Sequence, residues 1–119
     1  MIVRRATRPR AGERGSVSAE FAASLPAVVL VLAVCLGALQ VGGMQVRLQD
    51  AAADAARIVA RGDSLAAAAA RVERAAAGVD LAVTDEGELV CATLTGSVAV
   101  AGLFSLPVGA RSCALAGGR

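Results

Sequence analysis

The sequence predicts an α+β membrane protein with one long N-terminal helix, a second short helix and a small antiparallel sheet of three or four strands. Three observations lead there. Residues 21–46 form a 26-residue run without a charged side chain. At about 1.5 Å per residue that run extends roughly 39 Å, enough to cross a hydrocarbon core of about 30 Å. Beyond it the apolar residues first recur at helical spacing, and after Gly78 they alternate at the period of a strand.

The chain starts with a polar, basic segment. Residues 1–14 carry Arg4, Arg5, Arg8, Arg10 and Arg14 against Glu13 alone, with Pro9 and Gly12 and no helical period, so the reading is a disordered cytoplasmic leader. By contrast, the segment from Arg47 onward holds seven Arg against eight acids. This asymmetry, read by the positive-inside rule, keeps the N-terminus in the cytoplasm and places the C-terminal part outside it. A nucleic-acid-binding arm is disfavoured, because no aromatic residue accompanies the arginines and an apolar span follows at once. A secretory signal would have an apolar region of about 7–15 residues ending in a small-residue site, and this run is too long. A lipoprotein signal would have to use Leu32-Ala33-Val34-Cys35, where Val34 fits poorly.

Inside the run, Pro26 lacks the backbone donor a helix needs and clashes with the carbonyl four residues back, so the helix either kinks or properly begins there. Gly37, Gly42 and Gly43, with Ala33 and Ala38, put small residues where membrane helices approach one another closely, although no strict G-x-x-x-G occurs. Cys35 reads as a small buried apolar residue. From Arg47, the residues Leu48, Ala51, Ala52, Ala55, Ile58 and Val59 share one stripe, while Gln49, Asp50, Asp54, Arg57 and Arg61 lie largely off it. One helix of about residues 22–60 results, ended by Gly62-Asp63. Its alanine-rich stripe either covers the chain's own C-terminal part or contacts another subunit. Asp54 and Arg57 are spaced to pair on its surface.

Asp63 or Ser64 caps a second helix over residues 65–77, with Leu65, Val72 and Ala76 as a thin apolar face and Gly78 at its end. Val79, Leu81 and Val83 then alternate with Asp80, Ala82 and Thr84. Asp85-Glu86-Gly87 reads as a turn, residues 89–95 as a strand, 98–101 as a possible third and 108–115 as the last, with Pro107 at a strand start or edge. Only 57 residues follow Gly62, and a core that small usually needs a staple. Cys91 and Cys113, both in strands and both on the oxidising side, are the natural disulfide pair, contributing about 3 kcal/mol.

The chemistry the chain can perform is narrow. It has no His, Trp, Tyr or Lys, which removes the commonest general base and metal ligand along with Schiff-base and Walker-type chemistry. No base accompanies the cysteines, and they lack the C-x-x-C spacing of a redox dithiol. The expectation is a protein that interacts and does not catalyse, without cofactor, metal site or nucleic-acid partner.

Gly15 and Glu20 give the sharpest signal. An acid at the edge of the bilayer costs up to a few kcal/mol if drawn inward, and Glu20 sits immediately before the span. The helix dipole alone would favour an acid at that end. Gly15 lies five residues earlier, behind the arginine-rich leader. The constellation resembles the type IV prepilin processing signal, and ERGSVSAEFAASLPAVVLVLAVCLGALQ resembles the TadE family of minor pilins in tight-adherence, type IVb-like pilus systems. The likeness runs on through QVRLQDAAADAARIVARGD and, more loosely, to the C-terminal cysteines. It implies a pilin-like fold and three regions: a leader (1–15), a transmembrane and extended amphipathic helix (16–61) and an extracytoplasmic α+β part (62–119). It further implies that a prepilin peptidase cuts between Gly15 and Ser16, where a residue without Cβ is easily presented extended. Glu20, then the fifth residue of the mature chain, would pair with the α-amine of a neighbouring pilin-like subunit, in contact with an inner-membrane assembly platform. Ser16 stands where common type IV pilins carry an aromatic, and Ser18 and Ser24 lie within the early helix, which points to a minor component. The alternative is a single-pass, signal-anchored extracytoplasmic binding module whose N-terminus stays uncleaved.

Overall fold

The computed structural model describes residues 11–117 of the chain. Two helices, α1 (Ala11–Ala60) and α2 (Leu65–Ala75), precede three strands, β1 (Asp80–Glu86), β2 (Leu89–Val100) and β3 (Phe104–Leu115). The fold is α+β, as the sequence predicts. The described residues divide into two units between Leu36 and Gly37.

Helix α1 begins earlier than expected. It starts at Ala11 and passes through Pro26, so the proline does not mark its beginning. No proline interrupts residues 11–25, and extending an existing helix adds one hydrogen bond per residue fixed without a new nucleus. The expected disorder of the leader therefore fails for residues 11–14, which are helical; residues 1–10 lie outside the described part. Within the first unit, Val17, Phe21, Leu25 and every large apolar residue from Val28 to Leu36 are exposed. An exposed apolar surface on all sides of a helix is compatible with a membrane span. Its mean hydropathy of 2.5 over an 18-residue window agrees, and the helix is suited to a single-pass anchor. Cys35, expected to be buried, is exposed on it.

The second unit has a core built largely of small residues. Leu48, Ala51, Ala52, Ala55 and Ala56 of α1 pack with Ala68, Val72 and Ala76 from the α2 region, Ala92, Leu94 and Val98 of β2, and Val108 and Ala110 of β3. The stripe on α1 thus covers the chain's own sheet. Leu48 and Leu94 are the largest of its fully buried side chains. With so many methyl side chains on α1, helix and sheet approach closely, and there is little room to enlarge any of them.

Helix α1 ends in a Schellman motif. Gly62 adopts φ +92°, its N–H donates to the Val59 carbonyl at 2.9 Å, and the Asp63 N–H donates to the Ile58 carbonyl at 3.1 Å. The carbonyl of Ala60 accepts from the N–H of Gly117 at 2.8 Å, tying the end of the sheet to the end of the helix. Ser64, not Asp63, caps α2, its hydroxyl accepting from the Ala67 N–H at 3.1 Å. The helix stops at Ala75, two residues short of the expected end, and its buried face is Ala68, Val72 and Ala76. Leu65, expected on that face, is exposed, because the four-residue spacing that meets the core starts at Ala68.

The sheet is a three-stranded antiparallel meander in the order β1-β2-β3. A two-residue turn, Gly87-Glu88, joins the first pair, with Glu86 opposite Leu89. Gly87 has φ +71° and Glu88 does not share the positive sign, the pattern of a II′ hairpin turn. Asp85 and Glu86, expected in the turn, are strand residues. The expected break between residues 95 and 98 is also absent, since Gly96 and Ser97 pair with Val108 and Pro107 in a continuous ladder. Long-range pairing overrides the local turn signal. The hairpin turns later, at Ala101, Gly102 and Leu103, with Ala101 at φ +53° and Gly102 at φ +68°.

Candidate functional site

The residues that stand out in the sequence fall into two groups, one in each unit. In the first, Gly15, Ser16 and Glu20 are exposed on α1. A Cβ added at Gly15 would meet no atom within 4 Å. The Gly15-Ser16 bond is helical here, so a protease that reads an extended strand would have to unwind this first part of the helix. Such unwinding is local, since helix ends fray. Among the described residues Glu20 forms no ion pair. Further along, the Ser24 hydroxyl donates to the Phe21 carbonyl at 2.9 Å, which satisfies that hydroxyl inside an apolar segment.

In the second unit, Cys91 and Cys113 form the expected disulfide. They stand directly opposite in the register of β2 and β3, with 4.0 Å between Cα atoms and 2.06 Å between sulfurs. Since Ala92 and Leu94 face the helices, Cys91 points to the other face of the sheet. It is nevertheless fully buried, whereas Cys113 is exposed. Cys91 lies on the central strand with a neighbouring strand on either side, whereas Cys113 lies on an edge strand. Arg111 of β3 donates to the Glu86 carboxylate of β1, and the register places Thr84, Cys91 and Cys113 in the row between them.

So close a Cα approach marks a non-hydrogen-bonded pair, in which the backbone groups of both residues point away from each other. Along β3 the same holds at every second residue: Arg111, Gly109 and Pro107. Their polar groups form the free edge of the sheet, and α1 covers it. The Gln45 amide donates to the Gly109 carbonyl, and the Gln49 amide donates to the Arg111 carbonyl at 3.1 Å. Pro107 occupies an edge position where no ladder bond needs its missing N–H, as expected. The sequence places Gln49 off the alanine stripe without giving it a role and does not mark Gln45, although the four-residue spacing of the two beside that stripe is the signal that finds them. The partner of Asp54 also differs. It lies 4.0 Å from Arg57 but 2.8 Å from Arg71, so it chiefly joins α1 to α2.

An open groove of about 560 Å³ lies at the disulfide end of the second unit, lined by Arg57, Ala60, Arg61, Leu89, Cys113 and Leu115. Among the described residues no three His, Cys, Asp or Glu side chains gather into a set able to hold a metal ion.

Together these features define a class: an α+β protein whose long apolar N-terminal helix is suited to a single-pass membrane anchor and whose small sheet is closed by a disulfide. The chain is 37% identical over 97 residues to the Mycobacterium tuberculosis protein named apoptosis inhibitor Rv3655c, a match covering 82% of this chain and 76% of the relative. It belongs to the same family as that protein. No family model matches the chain, and no solved structure matches it.

Proposed function

We propose that the chain is a TadE-like minor pilin, a structural and assembly component of a Tad-type pilus with no catalytic turnover. The observation that carries the reading is the placement of Gly15 and Glu20 five residues apart on a helix that continues, without a charged residue from 21 to 46, into the alanine-lined core. In this reading the leader stays in the cytoplasm and prepilin peptidase cuts between Gly15 and Ser16. The new α-amine of one subunit meets the Glu20 carboxylate of another. Each charge would be costly alone in a low-dielectric setting, and the pairing offsets that cost. Packing of the exposed apolar helix surface against other pilin-like subunits supplies the remaining association energy, and the disulfide-closed sheet is presented outside the cytoplasm.

A second reading is an anchored binding module that keeps its leader. The name of the Mycobacterium tuberculosis relative describes an action on apoptosis, which is an action of the kind a binding module carries. Intact-mass analysis of the protein from its native membrane separates the two. A mature chain starting at Ser16 supports the pilin; a chain that retains its leader supports the uncleaved module.

A further inference from the structure

The hairpin joining β2 and β3 carries an apolar tip that none of the described residues covers. Leu103 is 78% exposed, Phe104 67% and Leu106 44%. These residues belong to a second uncharged run, residues 89–110, bounded by Glu88 and Arg111. Exposed large apolar side chains grouped at one place mark a contact surface. The position of the tip along α1 points to what it contacts. Within the second unit, a Cβ added at Gly37 would come within 2.9 Å of Val100 Cγ1. The Gln40 amide donates to the Ala99 carbonyl at 3.4 Å. The tip therefore lies alongside residues 37–40, still inside the uncharged run of α1. A hydrocarbon core of about 30 Å takes about 20 helical residues, which counted from Phe21 ends at Gln40. Gln40 is also the first strongly polar side chain after Ser24.

We propose that the β2–β3 hairpin tip inserts Leu103, Phe104 and Leu106 into the bilayer surface beside the point where α1 leaves it, giving the sheet-bearing unit a second membrane contact. This rests on the reading of α1 as a membrane anchor. The tip carries no charge, so its insertion depends on apolar burial and not on anionic lipid. The backbone at the end of the hairpin is saturated by its own turn, the Leu103 N–H donating to the Val100 carbonyl at 3.1 Å, which suits shallow burial.

The chain contains no tryptophan, so one introduced indole reports on one position. Full-length Leu103→Trp, Leu30→Trp and Leu89→Trp variants are reconstituted in phosphatidylcholine vesicles, with and without lipids brominated along the acyl chain. The expected result is blue-shifted emission at positions 30 and 103, with more than half of it lost to brominated lipid. Position 103 should be quenched best by bromine near the headgroup, and position 89 should remain unquenched. If position 30 is quenched and position 103 emits as in water, the hairpin contact is wrong and the anchor stands. If position 103 is blue-shifted yet unquenched, protein covers the tip and the proposal is overturned. If position 30 itself is unquenched, the anchor reading fails and the hairpin contact fails with it. Adding phosphatidylglycerol should leave the quenching at position 103 unchanged.

Discussion

The side-chain amide of Gln49 on α1 donates to the main-chain carbonyl of Arg111 on β3, 3.1 Å away. An edge strand with free carbonyls is a template for pairing with another chain, and natural proteins blunt such edges. Here the long helix does so with two glutamines one turn apart. The double substitution Gln45→Ala, Gln49→Ala is expected to speed amide exchange of residues 105–115 in the full chain, read by hydrogen-exchange mass spectrometry. Each lost bond should cost about 1 kcal/mol or less, since both glutamines are exposed. Unchanged exchange would mean that these contacts do not hold the edge.

Reduction should act unevenly on the two cysteines. Cys91 is fully buried on the central strand and Cys113 is exposed on the edge strand, so alkylation after reduction is expected at Cys113 first. Opening a closed loop with a sequence separation of 22 should cost about 3 kcal/mol in the chain-entropy description. A Cys91→Ser chain should leave Cys113 reactive without reductant. Equal labelling of both thiols would contradict the burial of Cys91.

The alanine-lined core should tolerate change in neither direction. Leu94→Ala removes one of the largest fully buried side chains and is expected to cost about 2–5 kcal/mol. Ala52→Leu, at a fully buried position facing the sheet, should cost about 1–3 kcal/mol through crowding. Urea-induced loss of exchange protection in the sheet measures both. A neutral Ala52→Leu would mean that α1 is not seated closely on the sheet.

The Asp54–Arg71 pair joins the two helices but is partly exposed, with side chains 34% and 44% accessible. Arg71→Ala is therefore expected to cost under about 1 kcal/mol, and the difference from the parent should shrink in high salt. A larger, salt-independent loss would point to packing by the arginine stem.

Much of this architecture was legible because it rests on periodicity. The uncharged run, the stripe beginning at Leu48 and the alternation after Val79 each impose one structure. The cysteine pair followed from the small size of the part beyond Gly62. What escaped depended on tertiary partners. Gly96 and Ser97 read as a break because nothing local shows that Val108 and Pro107 lie across from them. The i to i+3 spacing pairs Asp54 with its helical neighbour Arg57, while Arg71 of the next helix comes closer. The helical form of residues 11–14 has no local signal because the helix is extended from its apolar part and not nucleated there. At Gly15, Ser16 and Glu20 the sequence supplies a spacing; the structure adds exposure and helical continuity.

The Glu20 carboxylate should matter to assembly and not to folding. Glu20→Gln is expected to leave the exchange protection of the sheet unchanged while lowering the yield of assembled pili several-fold, consistent with loss of one buried charge match. Parental pilus yield would remove the assigned role of this acid.

The N-terminus of the protein isolated from its native membrane tests the central claim most directly. Intact-mass analysis should find a chain that begins at Ser16, free of the arginine-rich leader. A mass that still includes Gly15 and the residues before it would contradict the account and leave an anchored, disulfide-closed binding module in its place.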